Sequence, residues 1–121
     1  MKDPHAATKA EIKRLAKVWQ QRLGLSEYHI DVQFSDDVAM ADCHAQWQYL
    51  MATLTFNPGE CAEQAARDPL ETLELTVVHE LTHVLLSGYR ALRKGRQDLF
   101  TTVDERTTEE VARLFVQAYA A

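Results

Sequence analysis

Residues 76–86 read TVVHELTHVLL, and this stretch decides both the fold and the chemistry to look for. Val77, Val78, Leu81, Val84, Leu85 and Leu86 make it too apolar for a surface helix, yet it also carries His79, Glu80 and His83. Residues four apart on a helix are neighbours on one face, so His79 and His83 present two imidazoles side by side. Burying a charged group without a partner is costly, and a metal ion would supply that partner. At average composition, His-Glu-x-x-His arises by chance in roughly a few per thousand chains of this length. A metal site is therefore the stronger reading than satisfied core histidines.

Working outward, DPLE at 68–71 reads as a helix start, with Asp68 as N-cap, Pro69 at the first helical position and Glu71 three residues after the cap. The sequence predicts one largely buried helix from there to Gly88. The basic, polar stretch 89–98 reads as a loop, and LFTTVDERTTEEVARLFVQAYA at 99–120 as a terminal amphipathic helix. Upstream, AATKAEIKRLAKVWQQRL at 6–23 is amphipathic, with Gly24 placed to end it. YHIDVQF at 28–34 alternates as a half-buried strand, and WQYLMATLTFN at 47–57 resumes a strand-like pattern. SDDVAMADCHA between them reads as a loop, and NPGE at 57–60 as a turn. This order predicts an α+β fold in which helices cover one face of a small mixed sheet.

The chain has 121 residues, which suits a single domain spanning 1–121. Its apolar fraction of 46% and charged fraction of 26% are ordinary for a globular protein. A net charge of −5 argues against general affinity for nucleic acid or anionic membrane. Cys43 and Cys61 are not spaced as Cys-x-x-Cys and read as unpaired thiols of a reducing cytoplasm. No apolar run approaches the ~20 residues needed to span a membrane, and the start MKDPHAATKAEIKRL lacks a signal-peptide core. The expectation is a cytoplasmic protein, monomeric by default.

Two imidazoles one turn apart can reach one Zn²⁺ at ~2.0–2.1 Å. Glu80 projects beside the pair, where it can take a proton from a water activated by the ion without occupying a coordination place. His5, His29 and His44 read as surface residues. Tyr89, just past the helix, is a weaker candidate for stabilising an oxyanion. DCH at 42–44 offers Asp42 and Cys43 as groups that could block the ion in a latent form.

VVHELTHVLL resembles the active-site helix of the zincin metallopeptidases. In chain length and element order the protein resembles the minigluzincins and related small phage metallopeptidases. The resemblance implies a minimal zincin-like domain, with an N-terminal helix, the His-Glu-x-x-His helix and a C-terminal ligand-bearing helix. It also implies an edge strand beside the cleft that aligns an extended substrate, for which ATLTF at 52–56 is the candidate, with a central strand the equal alternative. Leu86 and Tyr89 stand where a metzincin would continue with glycine and histidine. No histidine follows His83, against the pattern of the SprT-like proteases. A carboxylate from the last helix is then the expected third ligand, as in gluzincins.

Asp104, Glu105, Glu109 and Glu110 are the choices. At ~100° per residue, Asp104 falls near the middle of the apolar arc but reaches least far. Glu105 lies on its flank, Glu109 just outside, and Glu110 toward solvent. Glu105 and Glu109 resemble the gluzincin Glu-x-x-x-Asp pair, in which the first residue binds zinc and the second orients a ligand histidine. EEVARLF at 109–115 resembles another phage-associated zincin pattern that would make Glu109 the ligand. TVDE at 102–105 also reads as a capping box. Glu105 is the first choice and Glu109 the alternative.

The resulting expectation is a zinc-dependent endopeptidase acting on a peptide or protein substrate. A catalytically silent or latent zinc-stabilised protein-binding module from a phage or mobile element is the rival, and Glu80→Gln separates the two. An RNA-processing metalloenzyme would need further histidines and a basic face.

Overall fold

A computed structural model of the chain describes residues 3–91 and 97–120. Helix α1 (Ala6–Arg22) is followed by strands β1 (His29–Phe34), β2 (Ala41–Gln46) and β3 (Met51–Phe56). Helices α2 (Pro58–Arg67), α3 (Leu73–Ala91) and α4 (Gln97–Ala120) complete the α+β fold. The sheet is mixed and ordered β1-β3-β2, with β3 parallel to β1 and antiparallel to β2.

Helix α1 ends where Gly24 was placed to end it. Gly24 takes φ 71, its N–H reaches Gln21 O at 3.1 Å, and Leu25 N reaches Gln20 O at 2.9 Å. This is a Schellman closure, and the apolar residue that follows the glycine, Leu25, is buried as that motif prefers. Strand β1 turns Ile30, Val32 and Phe34 toward the helices and His29, Asp31 and Gln33 outward, the alternation its sequence carries.

In the sheet the structure decides one open alternative and corrects two expectations. ATLTF lies in the central strand β3, where Ala52, Leu54 and Phe56 are buried, and so is not an edge. The edge strand beside the cleft is β2, formed by residues expected to be loop, and β1 is the other edge. Its inward side chains, Ala41, Cys43 and Ala45, are small and give little hydrophobic alternation to read. Residues 47–49 form a 3₁₀ turn rather than strand, closed by Leu50 in the left-handed region at φ 53.

NPGE opens helix α2 instead of making a turn. Asn57 is the N-cap, its side chain accepts from Glu60 N at 3.2 Å, and Pro58 takes the first helical position. Asp68 therefore closes α2, with its carboxylate accepting from Leu70 N at 2.9 Å. The cap of α3 is Thr72, whose hydroxyl accepts from Leu75 N at 3.1 Å. Helix α3 also continues past Gly88 to Ala91. One glycine costs only about 1 kcal/mol in a helix, and no proline follows to stop it. The expected loop 89–98 is thus helical at both ends, and its remainder, 92–96, lies outside the described residues.

The core gathers Ile12, Leu15, Ala16 and Trp19 of α1, the buried face of β3, Cys61 of α2 and Leu75, Val77, Val78, Leu81 and Val84 of α3. Four of these α3 residues, Val77, Val78, Leu81 and Val84, are fully buried. At about 1.5–3 kcal/mol for each fully buried aliphatic side chain, they anchor the helix that carries the motif. Trp19 donates from Nε1 to Glu74 at 2.9 Å, tying α1 to the first turn of α3. Cys61 is buried, and burial pushes its thiol up to about 11. Among the described residues, no helix is long and apolar enough to cross a membrane.

Candidate metal centre

One turn of α3 sets the His79 and His83 rings with centroids 4.9 Å apart, at 75° to each other. Buried neighbours Val77, Val78, Leu81 and Val84 anchor the helix backbone that carries the pair. Helix α4 packs against α3 and brings Glu105 to both rings. Its Oε1 lies 3.0 Å from His83 Nε2 and its Oε2 3.4 Å from His79 Nε2. Donor atoms of His79, His83 and Glu105 all lie within 4.8 Å of one another.

That spacing suits a small cation. Tetrahedral bonds of ~2.0–2.1 Å place neighbouring donors ~3.3 Å apart, close to the 3.0 and 3.4 Å separations of the Glu105 oxygens from the two Nε2 atoms. Two imidazoles and one carboxylate match the borderline preference of zinc, and three protein ligands leave a fourth position for water or substrate.

Glu109, one turn after Glu105, does something different. Its Oε2 sits 2.5 Å from His79 Nδ1, on the far side of the ring from Nε2. A carboxylate there accepts the Nδ1 proton and leaves the Nε2 lone pair facing Glu105. The other oxygen, Oε1, pairs with Arg113 at 3.0 Å. Asp104 is buried but stands outside the donor cluster. Glu110 pairs with Arg106 at 3.5 Å on the exposed side of α4. The capping box expected at TVDE is absent, because α4 begins earlier, at Gln97, and residues 102–105 lie inside it. Tyr89 has its backbone within α3 rather than in a loop, and its side chain lies outside the described residues.

Glu80 is 7% exposed and lines the same cleft as the histidines without belonging to the donor cluster. Burial pushes its carboxyl up to about 7, a rise that His79 opposes and Glu105 reinforces. The cleft measures about 370 Å³ and is walled by Met40, Ala41, Asp42 and Cys43 at the start of β2, by α3, and by Glu105 and Glu109 of α4. Asp42 and Cys43 thus reach the cleft, while His29 and His44 lie on the outer face of the sheet. Sequence reasoning missed the part played by β2, and it missed Arg113, whose i, i+4 spacing from Glu109 was the available signal.

The fold and site together define a small α+β protein with two histidines and a carboxylate converging from adjacent helices beside a buried glutamate. No protein-family model matches the chain, and no curated protein or solved structure matches it either.

Proposed function

We propose that the protein is a zinc-dependent peptidase of the zincin type, with a gluzincin-like ligand set. The observation that carries this reading is the convergence of His79 Nε2, His83 Nε2 and the Glu105 carboxylate in a cleft that buried Glu80 also lines. His79, His83 and Glu105 would hold the ion. Zinc bound there would acidify a water and polarise a substrate carbonyl. Glu80, adjacent to the donors but not one of them, takes the proton from the attacking water and passes it to the leaving amine. Glu109 keeps His79 in the tautomer that points Nε2 at the donors. Among the described residues, β2 is an edge strand that runs into the cleft wall, a placement that suits alignment of an extended peptide.

Cleavage of a diverse peptide library by the zinc-loaded protein, read by mass spectrometry, tests the proposal beside Glu80→Gln. The expected result is cleavage by the wild type, a loss of about 10²–10⁴-fold in the variant, and equal zinc content in both. Equal activity in the two proteins, or a wild type that binds no zinc, overturns it. Zinc binding without cleavage by either protein would favour a zinc-stabilised binding module.

A further inference from the structure

Glu105, Glu109 and Arg113 follow one another at single-turn intervals on α4, and only the first of them belongs to the ligand set. We propose that Arg113 is a positioning residue for the metal centre: its guanidinium clamps Glu109, and through Glu109 it fixes the ring of His79. This inference rests on the ligand set proposed above.

The geometry is that of a clamp fixed at both ends. Glu109 divides its oxygens, giving Oε2 to His79 Nδ1 at 2.5 Å and Oε1 to Arg113 at 3.0 Å. Rotating the carboxylate to release one partner would release the other. Arg113 is itself held by a second set of partners. Its Nη2 also pairs with Glu71, and its Nη1 donates to Leu70 O at 3.4 Å. Glu71 and Leu70 belong to the segment that leads into α3, so the guanidinium spans from α4 to the root of the histidine helix. A planar fork with several donors can serve three acceptors at once, which a point-charge ammonium does poorly.

An ordinary surface ion pair would be worth little, but this one is not ordinary. Arg113 is about a third exposed, and both of its carboxylate partners line the cleft. Without the guanidinium, Glu71 and Glu109 would repel each other there, and Glu109 would be free to swing away from His79. The His79 ring would then lose the contact that selects its tautomer. Second-layer contacts of this kind typically govern metal affinity by 10–100-fold.

The test compares Arg113→Met, Glu109→Gln and the double variant by two readouts. Zinc affinity is measured by competition with a chromophoric chelator. The ring-nitrogen NMR shifts of His79 are measured on the metal-free protein, at a pH high enough to leave the imidazoles neutral. Arg113→Met should weaken zinc about tenfold in the wild-type background and by less than about twofold once Glu109 is glutamine. The shifts should move from one tautomer toward a mixture. Equal effects of Arg113→Met in both backgrounds, or no change in the shifts, overturns the clamp. Arg113→Lys keeps the charge and loses the fork, and serves where the methionine variant does not fold. It should fall between wild type and loss, whereas full recovery would reduce the effect to charge alone and refute the clamp. A wild type that takes up no zinc would refute the ligand set, and the metal-free shifts would still decide the role of Arg113.

Discussion

Helices α3 and α4 meet at the same site but are held in place by different forces. Helix α3 is fastened by packing, with Val77, Val78, Leu81 and Val84 fully buried. Among the described side chains of α4, Ala112 is the one in the buried apolar core, with Phe115 and Val116 packed partly against it, while Leu114 and Tyr119 stand 64% and 52% exposed. What α4 brings instead is a run of polar links to α3 and its leading segment: Glu105 to both histidines, Glu109 to His79, and Arg113 to Glu71. One helix is a rigid base for two donors. The other is a strut tied to that base by polar links among its described residues.

The largest effect should come from the packed side of this contrast. Leu81→Ala is expected to cost about 2–5 kcal/mol of unfolding free energy, measured by chemical denaturation. Leu114→Ala on α4 should stay within about 0.5 kcal/mol. Similar losses at the two positions would break the distinction between base and strut.

Metal binding should act most on the strut. In zinc-free protein, amide hydrogen exchange along α4 is expected to be faster than in the buried turns of α3, and zinc should slow α4 the more. At a hundredfold excess over its dissociation constant, a ligand adds about 2.7 kcal/mol of stability, which sets the scale of the change. Protection gained equally along both helices would show that α4 was already seated. Smaller again is the expected cost of Glu109→Gln, about tenfold in zinc affinity, read by chelator competition with no loss of helix content by circular dichroism. An unchanged affinity would remove Glu109 from the support of His79.

Much of the contrast was legible in the letters, and the failures have physical causes. Helix α1, strand β1 and the buried helix around His79 announce themselves by period and by terminal residues such as Gly24. Strand β2 does not, because the side chains it buries are alanines and a cysteine. Helix α2 was hidden by Asn57-Pro58-Gly59, a string that suits a turn and a helix start equally well. That error moved the start of α3 as well, giving Asp68 a capping role that belongs to Thr72. In the site, the neighbouring positions of His79, Glu80 and His83 follow from helix geometry alone. Choosing among Asp104, Glu105 and Glu109 needed the rotational phase of α4 against α3, which only packing supplies. The buried positions 104, 108 and 112 set that phase and bring Glu105 and Glu109 alongside them toward the histidines.

The donor cluster is also divided in time. His79 and His83 leave the ribosome together, but Glu105 follows only after the rest of α3 and the segment that joins it to α4. A nascent chain that has folded its sheet and its histidine helix still lacks the third donor, and its cleft lacks the wall that α4 provides. The donor cluster is completed only when α4 has been made and has packed against α3, so a chain that has not reached α4 carries no finished cluster.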